Sequence, residues 1–297
     1  MGDSPKNTRL PGGGIYLFRV GTCSWTDQTL LQCGRFYPQT ARTSEQRLRF
    51  YAEHFDTVEV DSSYYHLPAE KNSWLWLERT PEHFLFNIKA YKSLTLHERD
   101  RRPEALEWQM FASAIQPLAD AGRLGYVLFQ FPPWFVCSQE NQAYILECQQ
   151  RLPAFRLGIQ FRHVSWLADH ARARETLQWL KANDMPYVAV DEPQFPSRRT
   201  IPPVAVATAA DMAVIRFNGR NQRNWFAKNI PVYERFHYSY NSQELAEWLP
   251  RLVDLSQRSR TVFIMFNNCF EDDAIVNAKE IIQQLRYLQT APIDSQA

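Results

Sequence analysis

Polar side chains two residues apart recur inside apolar runs of this chain: Glu59 and Asp61, Asn87 and Lys89, Gln160 and Arg162, Arg216 and Asn218. Alternate residues of an extended chain share a face, so each pair falls on one side of a strand. The residues between and before them are apolar: Val58 and Val60, Phe86 and Ile88, Ile159 and Phe161, Ile215 and Phe217. Gln130 and Asp191 end two further runs, preceded on the same parity by Leu128 and Ala189. Lys89, Arg162 and Arg216 thus stand against Glu59, Asp61 and Asp191. Guanidinium forks recognise carboxylate or phosphate, while carboxylates hold such forks, bind a metal or exchange protons. Burying many ionisable groups together is costly, which favours a used site over a salt-bridge network.

Large aromatics follow the same runs: Trp25, Tyr64 and Tyr65, Tyr91, Trp134, Trp166, Phe195 and Trp225. Flat faces beside fixed polar groups suit sugars or nucleobases, and stacking a base contributes about 1–3 kcal/mol. Other chemistries have less behind them. The chain has no G-x-S-x-G elbow, and Cys23 in GTCSW has no histidine partner evident in the sequence. His97 and His163 stand in neither an H-x-H nor an H-E-x-x-H spacing, so a divalent metal shared with Glu59, Asp61 or Asp191 rests on residue types alone. The five cysteines are scattered without a C-x-x-C pair, as expected of reduced thiols in a cytoplasmic protein.

Eight short β-branched and aromatic runs must carry these residues: 16–22, 57–63, 84–90, 126–132, 157–163, 187–193, 213–219 and 261–268. Helical patterns separate most of them, such as SEQRLRFYAEHF with Ser44 as its cap and Leu48, Tyr51, Ala52 and Phe55 as its stripe. Pro103 opens another helix and Gly122 follows it. The connection at about 191–212 is proline-rich and lacks a stripe, so one βα connection is expected to be irregular. Strands alternating with helices over this length predict a single (β/α)8 TIM-like barrel over 15–290, with a doubly wound open sheet as the alternative. Phosphate-loop and dinucleotide glycine motifs are absent, which disfavours the open sheet. In a barrel the polar parity points to the carboxyl-end mouth, where such folds build their sites.

The chain has 297 residues, 45% apolar and 22% charged, with a formal net charge of +1, a balance that gives no long-range pull toward nucleic acid or anionic lipid. Its start lacks the apolar stretch of a signal peptide, and no window is apolar enough to span a membrane. Residues 1–14 and 291–297 are expected to be disordered tails, and a monomer is the default expectation.

Ordered motifs from about residue 15 to 288 resemble the YecE-like domain-of-unknown-function family, number 72. They are GTCSW (21–25), FYP (36–38), LRFYAEHFDTVEVDSSYYHLP (48–68), TPEHFLFNIKA (80–90), LFQFPPWF (128–135), IQFRHVSW (159–166), VIRFNGRNQRNW (214–225) and FNNCFEDDAIVNA (266–278). The resemblance implies a TIM barrel with a shared pocket. It marks Trp25, Glu59, Lys89, Gln130, Arg162, His163, Trp166, Arg216, Gly219, Arg220, Asn267 and Asn268 as positions that keep the family pattern. The chain departs where the family usually has E-F-R-H (here Gln160), His (here Asn218) and Asn-Ser-Thr (here Asp61-Ser62-Ser63). An amide at 160 keeps shape and hydrogen bonding but transfers no proton.

These residues lead to an uncharacterised barrel with hydrolase-like chemistry on a small anionic molecule or nucleic-acid component. Arg162, Arg216 and Lys89 would bind the anion, Glu59 or Asp61 would be acid or base, and Trp25 and Trp166 would frame the ligand. A metal-dependent phosphodiesterase is one version, by fold analogy only. A non-catalytic ligand- or nucleic-acid-associated barrel is the alternative, favoured by Gln160 and Asn218. A glycosidase is harder to assemble without a carboxylate at 160.

Overall fold

Runs of Val, Ile, Phe and Tyr bounded by helical segments form strands β1 (Ile15–Thr22), β2 (Thr57–Val60), β3 (Leu85–Lys89) and β4 (Leu124–Gln130). They continue as β5 (Leu157–Gln160), β6 (Val188–Asp191), β7 (Met212–Phe217) and β8 (Thr261–Phe266). The computed structural model describes residues 8–9, 15–197 and 200–290. Strands β2–β5 form one parallel sheet in chain order, and β1, β8, β7 and β6 form a second. Within the expected first tail, Thr8 and Arg9 pair antiparallel with Tyr16 and Ile15. The rest of both expected tails lies outside the described residues.

Single parallel bridges link the sheets on both sides, Cys23 with Glu59 and Ile159 with Tyr187. At the first seam the Tyr51 phenol accepts the Thr22 N–H at 2.9 Å and donates to the Thr57 carbonyl at 3.2 Å, in the place of a missing strand-to-strand bond. Gly21 permits this approach, because a Cβ there would fall 2.1 Å from the Thr57 carbonyl oxygen. At the second seam the Ile159 N–H donates to the Pro186 carbonyl at 2.8 Å.

Tyr51 belongs to α2 (Ser44–Ala52), which follows the short α1 (Gln28–Cys33). The cap of α2 is Thr43 rather than the expected Ser44; its hydroxyl accepts the Gln46 N–H while the Gln46 amide accepts the Thr43 N–H. The predicted stripe Leu48, Tyr51, Ala52 and Phe55 is buried. Next come α3 (Ser62–Tyr65), α4 (Glu70–Arg79), α5 (Ala105–Asp120), α6 (Gln139–Arg151) and α7 (His170–Ala182). Gly122, at φ 66°, ends the α5 region in the left-handed conformation that glycine adopts without strain. Among the described residues no helix lies between β6 and β7, in keeping with the irregular connection. The chain closes with α8 (Val232–Arg235), α9 (Ser242–Ala246), α10 (Leu249–Arg258) and α11 (Asp273–Thr290). The helical pattern SQELAEWLPRLVDLSQ is two helices, with Pro250 in the first turn of α10, where its missing N–H costs nothing.

The alternation sorts two apolar groups. Phe86, Ile88, Ile159, Phe161, Ile215, Phe217, Ile264 and Phe266 belong to the large core that includes the helices. Tyr126, Leu128, Val188, Met212, Val214, Phe263 and Met265, from both sheets, form a separate cluster with Cys23. This second cluster is a floor of apolar side chains between the sheets, and the polar parity continues above it. Among the described residues no helix is long and apolar enough to cross a membrane.

Candidate functional site

Glu59 on β2 and Arg216 on β7 belong to different sheets, yet their side chains meet with neither exposed to solvent. Arg216 donates from Nη2 and Nε to Glu59 Oε1 at 2.6 and 3.1 Å, and from Nη1 to Gln160 Oε1 at 3.0 Å. Its Nη2 also lies 3.4 Å from the Cys23 sulfur. The Tyr126 phenol donates to Glu59 Oε2 at 3.0 Å, so both carboxylate oxygens are occupied. Burial raises the Glu59 carboxyl against the opposing pull of Arg216, and it pushes the Cys23 thiol well up. This cluster is a fastener between sheets, with Gln160 as a neutral acceptor where a second carboxylate would face Glu59.

Next to it, Lys89 Nζ lies 3.7 Å from Asp61 Oδ1 and 5.0 Å from the centre of the Tyr64 ring. Tyr64 packs edge-on against His97. Burial, with the charges of Arg162 and Lys89, holds the His97 imidazole down at about 3, so it is neutral at ordinary pH. Asn87 lies lower down, where its amide N–H donates to Thr57 Oγ1 at 2.9 Å and its buried Oδ1 has no hydrogen-bond partner among the described residues. Gln130 ends β4 opposite Gln160 in register and is half-buried.

Arg162 is half-buried and makes no hydrogen bond or ion pair with any described residue. Burial lowers its guanidinium, and the charges it feels come from Glu192, Arg235, Tyr64 and Arg216. Glu192 continues the parity of Val188 and Val190 one step past β6 and is buried. Its Oε1 accepts the Ile201 N–H at 2.9 Å. Burial pushes its carboxyl up to about 7, while the Ile201 N–H, the Arg162 charge and the neighbouring Asn218 amide favour the ionised form. The Asn218 oxygen accepts from Asn267 Nδ2 at 3.0 Å.

Five of the expected residues, Asp191, Arg220, Trp166, Asn268 and His163, are engaged in contacts within the protein. Asp191 lies on the outward parity with Ala189, and its carboxylate accepts from Arg220, the Tyr240 phenol and the Trp248 indole at 2.7–3.2 Å. Arg220 is held there and by Glu247. Trp166 is fully buried, stacked on Phe161 at 4.1 Å, and its indole N–H donates to the Phe135 carbonyl at 2.8 Å, so it plugs the core. Asn268 is also fully buried and ties the Tyr238 carbonyl to Asn277. His163 Nδ1 accepts the Ser165 N–H at 3.2 Å and caps the short turn Val164–Trp166. Trp25 is buried edge-on against Trp76, beside a cavity of about 250 Å3 that Asp61 also lines. Among the described residues no three His, Cys, Asp or Glu side chains converge as a metal-holding set. The Glu59 and Asp191 carboxylates accept from arginine, tyrosine and tryptophan donors.

The family model described as "Protein of unknown function DUF72" matches residues 19–297. The chain belongs to the DUF72 family. It is 34% identical over 273 residues to UPF0759 protein YunF of Bacillus subtilis (strain 168), spanning 90% of this chain and 94% of that protein. Its fold is similar to a DUF72 family protein from Enterococcus faecalis V583, with TM-score 0.79, 28% identity and coverage of 91% of this chain and 95% of that one. A DUF72 family protein from Thermotoga maritima MSB8 gives TM-score 0.78 and 31% identity, covering 91% and 99%.

Two residues of this DUF72 chain escaped the sequence reading. Tyr126 shares the parity of Leu128 and Gln130, but a tyrosine within YVLFQ reads as strand filler until Glu59 is found opposite. Glu192 was legible in principle, as Val188, Val190 and Glu192 alternate as cleanly as the other pairs. Asp191 next to it ends the apolar run and stands out first in the sequence.

Proposed function

We propose that the eight strands close into one (β/α)8 barrel forming a single domain, and that its carboxyl-end mouth binds a small anionic molecule or nucleic-acid component with hydrolase-like chemistry. The bridges at both seams and the cross-sheet contacts of Glu59 with Arg216 support closure. One observation carries the ligand class: Arg162 is a half-buried guanidinium with no hydrogen-bond or ion-pair partner among the described residues, beside the already committed Arg216. A cation partly removed from water gains most from an anion that supplies the missing acceptors. Lys89, held loosely by Asp61, adds a second positive group at the mouth.

Sulfate, phosphate, nucleoside monophosphates and sugar phosphates, screened by thermal shift on the wild type and on Arg162→Ala, test the reading. Stabilisation that is lost in the variant is the expected result. No response to any anion overturns it. Turnover of the best ligand then distinguishes an enzyme from a second reading, a non-catalytic binding barrel. The full occupation of Glu59 by Arg216 and Tyr126, with an amide at Gln160, favours that second reading, since neither group is free to move a proton.

A further inference from the structure

Two charged side chains at the mouth, one half-buried and one buried, come from different sheets. Arg162 follows β5 and Glu192 follows β6. They make no ion pair, yet each lies in the other's field. Oε1 of Glu192 is fixed by the Ile201 N–H, which comes from the irregular connection, and the Gln194 amide, donating to the carbonyls of Glu192 and Ile201, closes that loop on itself. The carboxyl is therefore held in place by backbone, with the Asn218 amide and the Arg162 charge acting on it from neighbouring strand ends.

We propose that Glu192 is the proton donor of this site, and that an anion seated on Arg162 enters together with a proton held on Glu192. This inference rests on the anion-binding reading above. An ionised Glu192 and an anion would compete for the same guanidinium and repel each other; a protonated Glu192 offers the anion a second donor. Once the anion neutralises Arg162, the charge that favoured ionisation is offset and the proton is kept. In a hydrolysis, the bond from the anion's central atom to the departing oxygen breaks while Glu192 gives its proton to that oxygen. Water attacks the central atom, and its surplus proton returns to the carboxylate, so the site ends as it began.

The groups facing Glu192 allow this assignment. The Arg162 charge acts on it from just past β5, the Asn218 amide from just past β7 and the Ile201 N–H from the loop, while Asp191 and Tyr187 on its own strand region add only their fields. Arg162 in turn feels Arg216, Arg235, Tyr64 and His97. Burial lowers His97 to about 3 and raises Tyr64 to about 12, so neither titrates near neutrality. Glu192, at about 7, does.

Sulfate is the probe, because its charge is constant near neutral pH. Calorimetry on the full chain should show sulfate affinity falling as pH rises above about 7, approaching tenfold per pH unit, with up to one proton taken up per sulfate bound. Glu192→Gln, which keeps the shape and the acceptor for Ile201, should bind sulfate with the slope and the proton uptake both gone. Arg162→Ala should not bind it at any pH. A wild-type affinity that is flat with pH, or a slope that survives in Glu192→Gln, overturns the role of Glu192 while leaving the anion site standing. Absence of sulfate binding to the wild type overturns both.

Discussion

The Glu59 carboxylate and the Arg216 guanidinium sit 2.6 Å apart, one from each sheet, with no solvent exposure on either side chain. Their enclosure decides what they do. The carboxylate has both oxygens accepting, from Arg216 on the other sheet and from Tyr126 on its own, so the pair ties one sheet to the other.

Glu59→Gln should therefore act on stability first. It leaves Arg216 without its counter-charge in a dry interior, a loss of about 3–5 kcal/mol. Urea unfolding checks this through the midpoint at unchanged slope. A variant as stable as the wild type would show that Glu59 does not fasten the sheets.

Asp191→Asn should weaken the fold without touching the anion site. The amide cannot replace the charge that faces Arg220, and one of its two ends is a donor turned toward Tyr240, Trp248 or Arg220. A cost of about 3 kcal/mol is expected in chemical denaturation. Sulfate affinity of the folded variant should match the wild type, and a folded variant that has lost sulfate would return Asp191 to the site.

Trp166→Phe separates packing from ligand contact. It removes the indole N–H bonded to the Phe135 carbonyl and part of the stack on Phe161, for about 1–3 kcal/mol. Thermal melts should record that loss in sulfate-free and sulfate-saturated samples alike. A selective loss of the sulfate shift would restore Trp166 as a ligand wall.

Glu192 also leaves a mark on stability. Burial holds its carboxyl at about 7, against an ordinary value of 4.5. Between those values the folded chain keeps a proton that the unfolded chain releases, so the contribution of Glu192 to stability is greatest below about 4.5, falls as pH rises and levels above about 7. The difference corresponds to about 3 kcal/mol. Glu192→Gln should melt with a shallower decline from about pH 5 to about pH 8 than the wild type. Parallel declines would mean that Glu192 is not the buried acid described.

Parity made much of this molecule legible before any coordinates. The polar pairs at 59, 160 and 216 converge because a strand's two faces have different environments, and their letters alternate accordingly. Strand ends are less legible. At Asp191 the next residue rather than the last one continues the inward face, and a count from the wrong end exchanges the two carboxylates. For Trp166 and Asn268 the cause is different: their partners, Phe135 in the loop after β4 and Asn277 in α11, lie outside the strands, where no strand pattern specifies them. The seam itself was also hidden, since a phenol standing in for a strand-to-strand bond leaves no period in the sequence.

That seam gives the mouth a second meaning. Arg162 and the buried acid stand on opposite shores of the Ile159–Tyr187 junction, where the sheets share one bridge. An occupant touching both would be a rivet as well as a cargo. Slowed amide exchange along β5 and β6 would then register its arrival far from any atom it contacts.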